Sequence, residues 1–130
     1  MINVAKFKQK FFLQCRKLFS FSVKQHEMHL EYQGLDTYEF STKFVGPDKS
    51  LLIMFEFSLH PWIILEKTVK PRESIGLRRL CERFFPGHPI IERLSIPPKR
   101  KDDISILPLY ASFLEEHWDE IFELQWVKRR

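Results

Sequence analysis

Fifteen residues in the middle of the chain, Leu51 to Leu65 (LLIMFEFSLHPWIIL), contain a single formal charge, Glu56, and neither Lys nor Arg. Leaving so much apolar surface in water is costly, so this run must lie inside the fold. It is shorter than the roughly 20 apolar residues of a membrane span and is interrupted by Glu56, His60 and Pro61. Proline cannot donate to a β-ladder, so Pro61 divides the run into two strands. In the first, Leu51, Ile53, Phe55, Phe57 and Leu59 share one face, while Leu52, Met54, Glu56, Ser58 and His60 share the other. Both faces begin apolar, which suits an inner strand. Trp62 to Val69 supplies the next strand.

The flanking sequence supplies neighbours. Met28, Leu30 and Tyr32 alternate with Glu27, His29 and Glu31, giving a strand. Gln33-Gly34-Leu35-Asp36 reads as a turn, since Gly34 can take a positive φ. Tyr38, Phe40 and Phe44 alternate with polar residues in a second strand, and Gly46-Pro47-Asp48-Lys49 turns back into the apolar run. These four strands form an antiparallel meander.

Before the sheet, residues 3–20 have helical period. Asn3 is the expected N-cap, and Val4, Phe7, Phe11, Cys15 and Leu18 recur at spacings of three and four, widened by Phe12 and Phe19. Lys6, Lys10 and Lys17 fall opposite. After the sheet, Pro71 is expected to open a helix whose buried face is Leu77, Leu80, Cys81 and Phe84, ended by Pro86-Gly87. Alternation over Ile90–Ile96 predicts a short fifth strand. A charged loop, Pro97-Pro98-Lys99-Arg100-Lys101-Asp102-Asp103, leads to a last helix over about 108–125. There Tyr110, Phe113, Leu114, His117, Ile121 and Leu124 share one face, and five acids share the other.

The predicted order is α-β-β-β-β-α-β-α, a single compact α+β domain over residues 1–130 with a basic tail frayed at 127–130. Its sheet has four to five mainly antiparallel strands, with three helices chiefly on one face. At 130 residues the chain is long enough for a real core, and thirteen Phe supply most of it.

The net charge of +4 is mild, but its signs are segregated. Residues 1–26 hold Lys6, Lys8, Lys10, Arg16, Lys17 and Lys24 and no acid, whereas residues 109–125 hold Glu115, Glu116, Asp119, Glu120 and Glu123 and no Lys or Arg. The N-terminal helix has the ingredients of a membrane-surface helix, although the same Phe set closes an α+β core. Trp118 and Phe122 widen the apolar arc of the last helix beyond the needs of one neighbour, which raises a homodimer through that helix. Two lone cysteines, Cys15 and Cys81, read as reduced core thiols of a cytoplasmic protein.

Candidate chemistry is sparse. His26-Glu27-Met28-His29 places its histidines three apart, whereas a helical zinc motif needs four, and in a strand the two rings point to opposite faces. Glu56, Ser58 and His60 are triad residue types, but alternate strand residues lie too far apart for direct relay, and no G-x-S-x-G occurs. Four scattered glycines argue against a phosphate-cradling loop. Neither metal nor cofactor is expected, and a non-catalytic domain is.

The expected function is a small protein-binding domain of immunity, inhibitor or adaptor type, acting through charge-segregated surfaces. The contacting residues would be a polar sheet face with His29, Glu31, Glu39, Glu56 and His60, together with the acidic ridge of Glu116, Asp119 and Glu123. The alternative is a nucleic-acid-binding accessory protein using Arg72, Arg79 and Arg83 with the loop Lys99, Arg100 and Lys101.

Overall fold

The computed structural model describes residues 2–127. Except for Val127, the tail expected to fray lies outside the described residues. The domain is α+β, built on a five-stranded antiparallel meander in the order β1-β2-β3-β4-β5. The strands are β1 (His29–Asp36), β2 (Glu39–Val45), β3 (Lys49–Phe55), β4 (Trp62–Lys67) and β5 (Glu73–Gly76).

Two helices precede the sheet, α1 (Val4–Leu18) and α2 (Ser20–Gln25). The Asn3 side chain caps α1, accepting the Lys6 backbone N–H at 3.1 Å. Phe7, Phe11 and Cys15 form its buried face, while Val4, expected there, is exposed. Phe7 and Phe11 meet Phe40 and Phe55 of the sheet with ring centroids 5.2–6.0 Å apart. The Phe stripe that could have marked a membrane-surface helix is therefore used to close the core. Among the described residues no helix is long and apolar enough to cross a membrane.

The strand pattern departs from expectation in three places. A bulge between Leu30 and Tyr32 breaks the alternation, so Tyr32 stands opposite Lys43 and Gln33 opposite Thr42. The β1–β2 turn falls at Thr37-Tyr38 rather than at Gly34, with Thr37 itself taking a left-handed φ of 52°. β3 ends at Phe55, and Ser58 adopts φ 76° in the turn that follows. Glu56, Ser58 and His60 thus belong to a connection rather than to one strand face.

Pro71 does not open a helix. The chain instead adds Glu73–Gly76 to the sheet edge as the fifth strand, and the helix begins at Leu77. The expected buried residues Leu77, Leu80 and Cys81 do line α3 (Leu77–Phe84). Residues 90–96, expected as a strand, form α4 (Pro89–Leu94). Pro89 occupies the first turn, and the His88 ring Nδ1 accepts the Ile90 N–H at 3.2 Å. With the end capped, Ile90, Ile91 and Leu94 act as a helical i, i+1, i+4 set that packs on the core.

α5 (Leu107–Glu123) is interrupted at His117, whose backbone leaves helical values (φ −113°, ψ 16°). Its wide apolar arc is consumed within the chain. Trp118 is buried against Phe21 and stacks on the His26 ring at 4.6 Å, and Phe122 packs between Trp118 and Trp126. Among the described residues the arc is thus largely used within the chain, and its width alone does not call for a second copy.

One sheet face carries all this packing. Phe40, Phe44, Leu51, Ile53, Phe55, Ile63, Leu65 and Ile75 are almost fully enclosed, and the register stacks them in rows such as Phe44–Leu51–Leu65–Ile75. At one end of this inner face the core turns polar. Lys67 bonds Glu73 at 2.9 Å and the Leu124 carbonyl, and its ammonium lies 4.4 Å from the Trp126 ring centroid. The Glu73 carboxylate also accepts the Val127 N–H at 2.7 Å, while Arg83 donates to the Trp126 carbonyl. Burial alone would push the Glu73 carboxyl up, but the Lys67 and backbone hydrogen bonds, with the Lys67 charge, hold it below the usual range. This network clamps the C-terminal segment to the sheet.

Candidate functional site

Among the described residues, the opposite face of the sheet carries apolar side chains that lie outside the packed core. The register places Tyr32, Lys43, Leu52, Ile64 and Gly76 in one row across the five strands, and Gly34, Ser41, Met54 and Trp62 in the next. Leu52, Met54, Trp62 and Ile64 are half-buried and stand outside the core cluster and its packed periphery. They form a contiguous apolar patch on β3 and β4. Lys43, paired with Glu31 at 3.9 Å, and the exposed Tyr32 bound it on one side.

On the other side, the patch runs into two clefts that share Gly76. The first, about 430 Å³, is walled by Trp62, Leu59, Leu94, Pro97 and Pro98, with Arg78 at its margin. Its floor is fixed by the buried Tyr110 hydroxyl, which donates to the Pro61 carbonyl at 2.7 Å. Burial, the largest influence, raises the pKa of that phenol. The second, about 960 Å³, adjoins Ile64 and is lined by Arg79, Arg83 and Trp126.

The loop wall of the first cleft is held by Asp103. Its carboxylate accepts the Ser105 hydroxyl at 2.6 Å, the Ser105 N–H at 3.0 Å and the Lys99 N–H at 3.2 Å. These bonds, with Ser105 foremost, hold the Asp103 carboxyl down at about 2. The Ser58 N–H donates to the Lys101 carbonyl at 2.8 Å, and the His60 ring bonds the Ile96 carbonyl, joining this loop to the β3–β4 connection.

The residues predicted from sequence to make contact separate into several places. His29 and Glu39 lie on β1 and β2 opposite Val45 and Asp36, and Glu31 sits at the bulge. Glu56 and His60 leave the sheet at its end. Glu116, Asp119 and Glu123 are exposed on α5, which packs on the inner face, so the acidic ridge and the uncovered sheet face lie on opposite sides of the molecule. The two cannot make one contact patch.

The basic set also divides. Arg72 precedes β5, whereas Arg79 and Arg83 sit one turn apart on α3 and face the second cleft. Lys99, Arg100 and Lys101 are exposed in the loop, where Arg100 approaches Asp102 at 3.6 Å.

No hydrogen bond joins Glu56, Ser58 and His60 to one another among the described residues, and no group of three potential metal ligands converges there. His26 is stacked on Trp118, away from the exposed His29. Cys15 and Cys81 are buried free thiols, and burial pushes each up to about 12.

Sequence reasoning missed Leu52, Met54, Trp62 and Ile64 as surface residues. The signal was present in part: a hairpin about His60-Pro61 brings these four together on one face, and the helices carry too few apolar stripes to cover both faces. No family model, curated protein or solved structure matches this chain.

Proposed function

We propose that this chain is a small protein-binding domain, of inhibitor, immunity or adaptor type, that engages its partner through the outer face of the sheet. One observation carries the reading: Leu52, Met54, Trp62 and Ile64 make a contiguous, partly exposed apolar patch that stands outside the core cluster. Interface centres are apolar and aromatic with a polar rim. Here Trp62 is the natural anchor, and Tyr32, Lys43 and Arg79 supply the rim. The reading shifts the contact from an acidic polar face to an apolar one and keeps the sheet as the platform. It also places the domain in the cytoplasm, where two unpaired buried cysteines fit a reducing environment.

The test is in-cell crosslinking in the native host, comparing wild type with Trp62→Glu and Ile64→Glu. A partner crosslinked to wild type and lost from both variants supports the outer face. Equal recovery with all three proteins overturns it.

The alternative, a nucleic-acid-binding accessory role, has one observation in its favour: Arg79 and Arg83 share the second cleft with Trp126 beside Ile64. Filter binding of single-stranded RNA over a salt series decides it. Binding that weakens steeply with salt and fails in Arg79→Glu supports this role, and absence of binding at low salt removes it.

A further inference from the structure

The helical layer carries a second surface, independent of the sheet face and on the far side of the molecule. α1 spans the inner face from Phe7, against Phe55 and Phe57, to Cys15, against Thr42. α5 lies beside it and runs the same way, from Tyr110 at Pro61 to Phe122 near Lys49. Both helices therefore present their polar faces to the same side.

On α1 that side carries Lys6, Lys10 and Lys17, all exposed, with Arg16 at its edge, and no acid. On α5 it carries Glu115, Glu116, Asp119, Glu120 and Glu123, all exposed, and no Lys or Arg. Among the described residues no ion pair joins the two ridges. The α5 acids meet only His117, and Arg16 meets the neutral Gln33. Two adjacent, parallel, oppositely charged ridges thus lie unneutralised on one surface.

We propose that this surface docks a second copy of the chain. A two-fold axis running between α1 and α5, parallel to both, lays each α1 over the partner's α5. Every basic ridge then meets an acidic one, and the same patch serves both copies, as an isologous interface requires. A two-fold axis perpendicular to the helices, in the same interface plane, would oppose like charges and is disfavoured. Lys6, Lys10, Leu13 and Lys17 recur at helical spacing along the centre of the basic ridge. Leu13, 42% exposed, gives that contact an apolar centre.

The test is sedimentation velocity on the full chain at about 0.05 M and about 1 M salt, the latter shortening the screening length to about 3 Å. A dimer is expected at low salt and a monomer at high salt. An acid-ridge variant (Glu116→Lys, Asp119→Lys, Glu123→Lys) and a basic-ridge variant (Lys6→Glu, Lys10→Glu, Lys17→Glu) should each weaken self-association, on the order of a hundredfold from six lost pairs.

Mixed one to one, the two variants should restore a heterodimer, because each then carries a single sign. Circular dichroism checks that both are folded; an unfolded acid-ridge variant is replaced in the single-variant comparison by Glu116→Gln, Asp119→Asn and Glu123→Gln, and an unfolded basic-ridge variant by Lys6→Gln, Lys10→Gln and Lys17→Gln. A wild type that is monomeric at low salt overturns the proposal. So does a dimer that survives both high salt and the ridge substitutions. Trp62→Glu leaves dimerisation unchanged here, so this outcome is separable from that of the sheet-face reading.

Discussion

On β3, Leu51, Ile53 and Phe55 alternate with Leu52 and Met54, and the two sets differ little in chemistry. The first is fully enclosed under α1 and its aromatic neighbours; the second is half-exposed and outside the core. The same contrast holds on β4 between Ile63 and Leu65 and their neighbours Trp62 and Ile64. Apolar character thus sends a residue to a sheet face, but what packs on that face decides whether it holds the fold or offers a surface. Among the described residues the helices cover one face and leave the other without a packed layer.

The sharpest test of this contrast is truncation on the inner face. Phe55→Ala removes a ring that touches Phe7, Phe11, Phe40 and Phe57. It should cost about 3–5 kcal/mol in urea unfolding. A cost no larger than that of Met54→Ala would erase the distinction between the faces.

The clamp at the polar end of the inner face comes next. Glu73→Ala leaves Lys67, whose side chain is 19% exposed, without its carboxylate, and the Val127 N–H without an acceptor. A loss of about 3 kcal/mol is expected. The paired substitution Lys67→Met with Glu73→Leu should recover much of it, since no charge is then left unpaired. Failure of that recovery would mean that the clamp does more than satisfy its own buried groups.

A smaller effect is expected at the loop that walls the outer cleft. The Asp103 carboxyl is held at about 2, below its ordinary value of 3.8. A carboxyl depressed in the folded state stabilises the fold above the unfolded value. That contribution disappears as pH falls through the folded value. Thermal melts should therefore show stability falling between pH 3.8 and about 2, and Asp103→Asn should flatten that part of the profile. An unchanged slope would show that the Ser105 and Lys99 bonds do not hold the loop in solution.

The outer face should respond least. Ile64→Glu and Met54→Ala are expected to change stability by less than about 1 kcal/mol, while Ile64→Glu abolishes partner crosslinking. A large stability loss from Ile64→Glu would mean that the outer face is structural after all.

Much of the scaffold was legible along the chain because periodicity and turn chemistry are local. The alternation of β2 and β3, the Asn3 cap, the Gly46–Lys49 turn and the buried stripe of α3 all stand where the residues place them. The misses arose where two local patterns competed. Ile90, Glu92 and Leu94 alternate like a strand, yet Ile90, Ile91 and Leu94 also fit a helix, and the His88 cap with Pro89 in the first turn tipped the balance. Glu73–Gly76 has no strand signature of its own. It pairs because β4 offers an open edge, a fact that belongs to the sheet and not to the segment.

Sequence alone determined that this is an α+β domain with a central apolar hairpin, a basic first helix and an acidic last one. Those properties follow from side-chain period and charge, which are written residue by residue. Only the tertiary structure decided which sheet face would be covered, that Glu73, Lys67 and Arg83 would clamp a distant C-terminal segment, and that the two charged ridges would lie side by side. Each of these depends on where elements far apart in sequence come to pack, and no local pattern encodes that.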